Sequence, residues 1–414
     1  MALYTGKDGL KMGSGTQRVA MAVFSYYPAD PRVRREAEVL ARAGIDVDVV
    51  CLGRAGEPRT ENYGRITAHR VMQGTERKEN LIKYFLLSTL FAVLAFLRFL
   101  SLSLRHRYSL VQAHNMPDHL VFVGLLHRLA GVPVILDLHD LTVELFESKT
   151  RQNRLKVLLP VVKLAERLSC AFADSVLTTS PGFRQRLIER GIPAKKITLV
   201  LNSADNGLFK MPRARAWRKI ERGPALLYHG TVAKRFGLHV AIEAVGLLKT
   251  RFPETRLSIY GKYDPSYREE LEALVREKGL SGHVELGDYL PLDRVSEVIG
   301  TSDMGIVPYL DDPFMNLALS TKIFEYVCMR MPVVASRLDS IKSIFDEESI
   351  KYFTAGDTVD LAEQIEAFCA SPEQRRSFTE KAAGAYEVVS WPVMSQRYLN
   401  TVNGLICEEG KNGH

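Results

Sequence analysis

The feature that most constrains this chain is an alternation of short apolar runs with helix-like segments, repeated in two series. RVAMAVFS (18–25) is a continuous apolar run, as expected of a strand buried on both faces of a parallel sheet. A helix follows, with Pro31 near its start, Val33, Ala37, Leu40 and Ala41 on its apolar face, and Gly44 as its stop. VDVVCL (47–52) is the next strand, giving the strand–helix–strand length that a parallel crossover needs. LVQAH, a helix from Asp118 to Gly131, VPVILDLHD, DSVLTTS, a helix after Pro181 and KITLVL continue the first series. Residues 202–224 hold Gly, Pro, Arg and Lys with little periodicity and read as a linker. ALLYHG then opens a second series. A helix over Leu238 to Arg251, RLSIYG, a charged helix from Tyr267 to Lys278, HVELGDY, MGIVPY and PVVAS extend it.

Two such series predict an α/β protein of two doubly wound, Rossmann-like domains. The division is a disordered leader over 1–17, a first domain over 18–201, a linker over 202–224, a second domain over 225–389, and a terminal helix and tail over 390–414. At 414 residues the chain exceeds what one core serves. The formal net charge of +7 suits anionic ligands, such as nucleotide diphosphates or an anionic membrane surface, and identifies neither. The five cysteines are dispersed, which favours a reducing compartment over a zinc site or a disulfide framework. MALYTGKDGLKMGSGTQ has no apolar signal-peptide core, so a cytoplasmic location is expected.

No GxGxxG follows the first strand, which leaves a dinucleotide redox cofactor unsupported, and no GxxxxGK[ST] supports an ATPase. Asp311-Asp312 is a weak candidate for a metal-binding pair at a strand end. The expectation is therefore no cofactor, no metal requirement and no nucleic-acid partner, with cations and a helix terminus doing what a metal would do.

One segment breaks the alternation. ENLIKYFLLSTLFAVLAFLRFLSLSLRHRY carries an uncharged apolar run over 84–97, shorter than the roughly 20 residues of a spanning helix. Lys78, Lys83, Arg98, Arg105 and Arg107 flank or interrupt it. Phe85, Phe91, Phe96 and Phe99 spread around the helix, which favours contact with a membrane surface through 84–104 over a core helix.

The stretch PYLDDPFMNLALSTKIFEYVCMRMPVVAS (308–336) carries the most chemistry. A strand ends near Tyr309, a loop follows, and a helix begins near Ser320 and Thr321. Ligands of open α/β sheets bind at the carboxyl ends of strands. The free N–H groups of a helix start suit a diphosphate, Lys322 adds a cation, and Glu325 can accept two ribose hydroxyl hydrogen bonds. An ordinary cap with an acid in the first turns fits the same spacing.

SxKxFEY followed by PVVAS resembles the donor-site signature of the retaining glycosyltransferases of family 4, with the GT-B fold. YHGTVAKRFGLHVAIEAV resembles the phosphate-loop segment of their second domain, and HVELGDYLPLDRVSEVIGTSDMGIVPY their middle. AHNMPDHLVFVG and VILDLHD resemble the first domain of the exopolysaccharide and O-antigen branch, and SWPVMSQRYL the helix that crosses back to it. The resemblance implies two domains facing a central cleft. It implies transfer of a hexosyl or N-acetylhexosaminyl group from a nucleotide-diphosphate sugar, with UDP as the nucleotide, to a lipid-linked or polysaccharide acceptor. The enzyme would be peripheral on the inner face of the cell membrane.

The resemblance also implies roles. Glu325 matches the second Glu of the family's Glu-x7-Glu pattern, whose first Glu falls at Leu317. Thr231 follows Gly230 where the family often has Arg, and Phe236 stands where it often has Lys, so Lys234 and Arg235 are the local cations for the diphosphate. His139 and Asp140, directly after VILDL, are the catalytic candidates, with His139 beside the reacting end of the sugar. His114 and Asn115, with Tyr27, Asp30 and Arg32 of the first strand-to-helix loop, are acceptor-side candidates. Two other readings fit the same plan: a sugar-nucleotide epimerase and a non-catalytic sugar-nucleotide-binding subunit.

Overall fold

The computed structural model describes residues 16–75, 81–150, 154–210, 215 and 217–412. The leader expected over 1–17 lies almost wholly outside the described residues. The first series forms one sheet of eight strands: β1 (Arg18–Tyr26), β2 (Asp46–Gly53), β3 (Thr60–Tyr63), β4 (Ile66–Gln73), β5 (Leu110–His114), β6 (Val134–Leu138), β7 (Ser175–Thr178) and β8 (Ile197–Leu199). Their order is β3-β4-β2-β1-β5-β6-β7-β8, with β3 antiparallel to β4 and the registered pairs among β4, β2, β1, β5 and β6 parallel.

The second series forms a sheet of six: β9 (Ala225–Val232), β10 (Arg256–Tyr263), β11 (Val284–Gly287), β12 (Met304–Val307), β13 (Val333–Ser336) and β14 (Lys351–Phe353). These run β11-β10-β9-β12-β13-β14, all parallel. The first sheet's last strand ends at Leu199 and the second sheet's first begins at Ala225. Parallel pairing explains the apolar runs: β5, β6 and β7 are buried at every position because helices cover both faces.

In the first series the helices are α1 (Pro31–Arg42), α2 (Leu81–Ser103), α3 (Leu125–Leu129), α4 (Thr142–Thr150), α5 (Leu159–Phe172) and α6 (Pro181–Glu189). A polar cap followed by proline sets several starts. Asp30 accepts from Arg32 N before Pro31, and Ser180 accepts from Phe183 N before Pro181. The helix expected over Asp118–Gly131 is instead a 3-10 segment, Asp118–Gly124, leading into the short α3. The second series carries α7 (Leu238–Leu248), α8 (Pro265–Glu277), α9 (Leu292–Thr301), α10 (Thr321–Cys328), α11 (Asp339–Lys342), α12 (Thr358–Ala370) and α13 (Pro372–Glu387), and α14 (Trp391–Asn412) closes the chain.

By compactness the chain divides into two units. One comprises residues up to Leu138 with Ala165–Val176 and Leu399 onward; the other comprises His139–Leu164 with Leu177–Tyr398. Within the second unit the Ser180 hydroxyl donates to the Leu317 carbonyl at 2.6 Å, and Arg235 donates to the Ser148 hydroxyl at 3.3 Å.

The phenylalanines of α2 lie on different sides of the helix, as expected: Phe85 is exposed, Phe96 half-buried, and Phe91 and Phe99 buried. α2 has two distinct faces. Phe91, Ala95 and Phe99 are fully buried, with Phe91 against Phe24 and Phe99 against Tyr108. Phe85, Leu86, Leu90, Val93 and Leu97 are exposed. The helix is long and apolar enough to cross a membrane by length and composition, yet one face belongs to the core of the first unit. Lys78 lies outside the described residues.

Candidate functional site

The second unit gathers the groups foreseen around Ser320 at the carboxyl ends of β9 and β12. The strand β9 enters as an apolar run and ends in Tyr228-His229-Gly230-Thr231. Gly230 has φ +115°, and a Cβ there would stand 3.3 Å from Lys322 Cε, so a bare backbone is what lets the lysine lie alongside. Gly237, at φ +61°, starts α7, and a Cβ there would fall 1.9 Å from the Pro308 carbonyl oxygen. Glycine at this position lets the turn after β9 close on the end of β12.

Helix α10 begins where expected. Ser320 occupies its cap position, but the hydroxyl does not bond the helix; it pairs with the Tyr309 hydroxyl at 2.7 Å. Thr321 is the first helical residue and is exposed. Lys322 turns inward and is buried. Its ammonium donates to the hydroxyls of Tyr309 and, at 3.3 Å, Tyr228. It also stands 4.4, 4.8 and 5.2 Å from the ring centroids of Tyr228, Tyr309 and Phe236. Aromatic faces attract a cation, but the loss of water outweighs them. Burial brings the Lys322 ammonium down to about 7, against the opposing pull of Glu325.

One turn on, Glu325 sets Oε2 3.1 Å from Nε2 of His229. His229 stays neutral: burial first, then the Lys322 charge, lowers it to about 3. Its ring also packs edge-on against Tyr326, centroids 5.1 Å apart. The result is a buried cation and a carboxylate on one helix turn, roofed by aromatic rings. Such a pair matches a ligand with an anionic end and a hydroxylated ring.

Lys234 and Arg235 do not join this group. Lys234 reaches the exposed Glu270 at 3.5 Å, while Arg235 lies over the Phe314 ring at 5.4 Å and bonds Ser148. Phe236, at the position where a lysine was the commoner expectation, instead walls the Lys322 box. Leu317, where an acid was expected, packs on the start of α6. A Cβ at Gly182 would lie 3.1 Å from Leu317 Cα.

His139 follows β6 and is buried, with its carbonyl accepting from the Thr179 hydroxyl at 2.8 Å; Asp140 beside it is half-buried. In the first unit, His114 Nδ1 and Asp137 Oδ2 are 2.9 Å apart, both fully enclosed. Asn115 donates to Asp118 at 3.0 Å. Asp30 is tied to Arg32, and Tyr27 is buried edge-on against Tyr63. These acceptor-side candidates are held by neighbours rather than presented as a group.

A buried chain that sequence reading missed stands behind His114. Gln112 donates to Glu36 at 2.6 Å, and a hydrogen bond joins Glu36 to Asp137. Burial, then the Asp137 charge, raises Glu36 well above the usual carboxylate range, so it carries the proton. Asp137 remains the acceptor for His114, which fixes Nδ1 as the protonated ring nitrogen.

Known proteins show the same organisation. Residues 29–203 match the glycosyl transferase 4-like domain, and residues 213–384 match glycosyl transferases group 1. The chain is 24% identical over 376 residues to the D-inositol 3-phosphate glycosyltransferase of Arthrobacter sp. (strain FB24), spanning 87% of this chain and 86% of that one. It is 24% identical over 268 residues to the alpha-D-kanosaminyltransferase of Streptomyces kanamyceticus, spanning 63% and 67%. Among solved structures, sucrose-phosphate synthase from Thermosynechococcus elongatus superimposes with a TM-score of 0.76 at 19% identity, covering 95% of this chain and all of that one. Anabaena HepE in complex with UDP superimposes with a TM-score of 0.67 at 15% identity, covering 94% and 100%.

Proposed function

This chain belongs to the GT-B glycosyltransferases, with a family 4-like first part and a group 1 second part, and from that premise we propose that it moves a sugar from UDP to a lipid-linked or polysaccharide acceptor at the cytoplasmic face of a membrane. The observation that carries the reading is the pairing of Lys322 and Glu325 on one turn of α10, beside the Gly230 backbone. Lys322 and the N–H groups of the helix start hold the diphosphate, and Glu325 holds the ribose hydroxyls. HepE was solved with UDP-glucose, which supports UDP as the nucleotide.

In the reaction, the bond from the sugar's anomeric carbon to the diphosphate breaks and one to the acceptor oxygen forms. The proton leaves with a diphosphate oxygen. Lys322 is buried next to the developing charge, where a cation needs no reorganisation, so the proposal is transfer without a metal. Retention of anomeric configuration, the positioning of the sugar by His139 and Asp140, and contact of Lys234 and Arg235 with the diphosphate during turnover belong to the same proposal. The exposed face of α2 supports a membrane-borne acceptor.

The test is incubation of the purified protein with radiolabelled UDP-glucose and UDP-N-acetylglucosamine and a membrane extract. Label in the lipid or polymer fraction is the expected result. Isomerised donor would favour an epimerase instead, and binding without turnover a non-catalytic subunit.

A further inference from the structure

The helix layer on one face of the first sheet has the wrong exterior for a water-exposed layer. The connections β4 to β5, β5 to β6 and β6 to β7 all step the same way across the sheet, whereas β1 to β2 steps the other way. Right-handed crossovers therefore place α2, α3 and α5 on one face and α1 on the other. Side chains knit the three together. The Ser103 hydroxyl meets His127 Nε2 at 2.8 Å, and the Phe122 and Phe172 rings lie 5.0 Å apart.

The outward side of such a layer is ordinarily polar. Here, in the first unit, eleven of the twelve large hydrophobic residues exposed among the described residues lie on α2, α3, the part of α5 from Ala165 onward or the 3-10 turn leading into α3. Leu90 and Leu97 represent α2, Leu125 and Leu129 α3, and Leu168 α5; Leu129 is 76% exposed. A cluster of exposed apolar side chains of this kind marks an interaction site.

Charge says what covers it. Among the described residues of 81–107, 118–131 and 165–172 the acids are Asp118 and Glu166, and both are buried. Lys83, Arg105, Arg107 and Arg167 are exposed. A second copy seated symmetrically on this face would bring like charges together. An anionic leaflet offers the complementary sign. Lying on the bilayer suits α2 better than spanning it, because Phe91 and Phe99 are fully buried, Phe91 against Phe24 of β1 and Phe99 against Tyr108.

We propose that the outer faces of α2, of α3 and of α5 from Ala165 onward together form a platform on which the chain lies against an anionic lipid bilayer without crossing it. This rests on the reading of α2 as a membrane contact and extends it to two further helices. Apolar side chains would enter the acyl boundary while the surrounding lysine and arginines meet lipid phosphates.

Flotation of the full chain with phosphatidylglycerol–phosphatidylcholine vesicles tests it, against vesicles of phosphatidylcholine alone. Wild type is expected to float with the anionic vesicles. Leu129→Ser combined with Leu168→Ser is expected to lower the bound fraction at least tenfold while UDP still raises the Tm. If that variant floats like wild type while Leu90→Ser with Leu97→Ser does not, the α2 contact stands and the platform falls. If wild type does not float, both fall. An environment-sensitive fluorophore on Leu129→Cys or Leu168→Cys, in a Cys407→Ser background because Cys407 is exposed, provides a second readout. A blue shift on adding anionic vesicles supports the platform. A shift that instead follows protein concentration without lipid would overturn it in favour of a second copy.

Discussion

Lys322 sets its ammonium 4.4 Å from the centre of the Tyr228 ring and 3.3 Å from that tyrosine's hydroxyl, buried at the end of β9. A lysine enclosed this way is discharged easily and recharged by an anion, and that property underlies the first two expectations.

Lys322→Met should keep the aromatic box filled and remove the charge. The loss expected is that of a charge-assisted hydrogen bond, ~1.5–3 kcal/mol, or roughly 10- to 150-fold in UDP affinity. Calorimetric titration with UDP measures it. Unchanged affinity would remove Lys322 from the diphosphate site.

UDP binding should take up a proton at pH 8. The free lysine, brought down to about 7, is mostly neutral there, and the diphosphate draws the proton back. The apparent binding enthalpy should then change with the ionisation enthalpy of the buffer, and the change should vanish in Lys322→Met. The stability effect has a definite sign. A base depressed in the folded chain contributes stability above its unfolded value near 10.5, lost as pH falls towards 7. Saturating UDP should reduce that loss.

Glu325→Ala should abolish recognition of the ribose hydroxyls. Wild type is expected to bind UDP more tightly than 2′,3′-dideoxy-UDP, and the variant to bind the two alike. A variant that still discriminates would assign the ribose to other residues.

Glu36→Gln keeps an acceptor for Gln112 and a donor for Asp137 but has no proton to lose. The raised carboxyl of wild type contributes stability that is complete below its unfolded value and lost as pH rises through the folded one. The Tm of wild type should therefore fall relative to the variant between pH 5 and pH 9. Parallel curves would show that Glu36 is not the proton holder.

On α2, Phe91→Ala should cost ~3–5 kcal/mol, as for a fully buried aromatic, whereas Leu90→Ala on the adjacent face should cost little. Urea unfolding separates the two; equal losses would contradict the two-faced helix.

What could be read beforehand followed from the physics of burial. Strands covered on both faces appear as apolar runs, so β1, β2 and β9 stand out. The β3–β4 hairpin does not, because its buried positions include His69 and Arg70, made tolerable by Asp48 and by Glu57 and Glu61. Helix α2 is apolar nearly all round, so periodicity cannot say which side meets the sheet. The cap at Ser320 and the acid at Glu325 were visible as spacing on one helix. The box around Lys322 was not, since Tyr228, Phe236 and Tyr309 come from separate segments. Glu36 and Asp137 lie a hundred residues apart, and only the β1–β5–β6 pairing brings their elements together. On β9 the sequence pointed to Gly230 and Thr231, and the polar His229 inside the run ALLYHG was a further local sign that went unread.

The most direct test of the central claim is a crystal structure of the chain with UDP. The expected result is a diphosphate oxygen within hydrogen-bond reach of Lys322 Nζ, with both ribose hydroxyls on Glu325. UDP bound away from the start of α10, with Lys322 still enclosed by its tyrosines, would contradict the account.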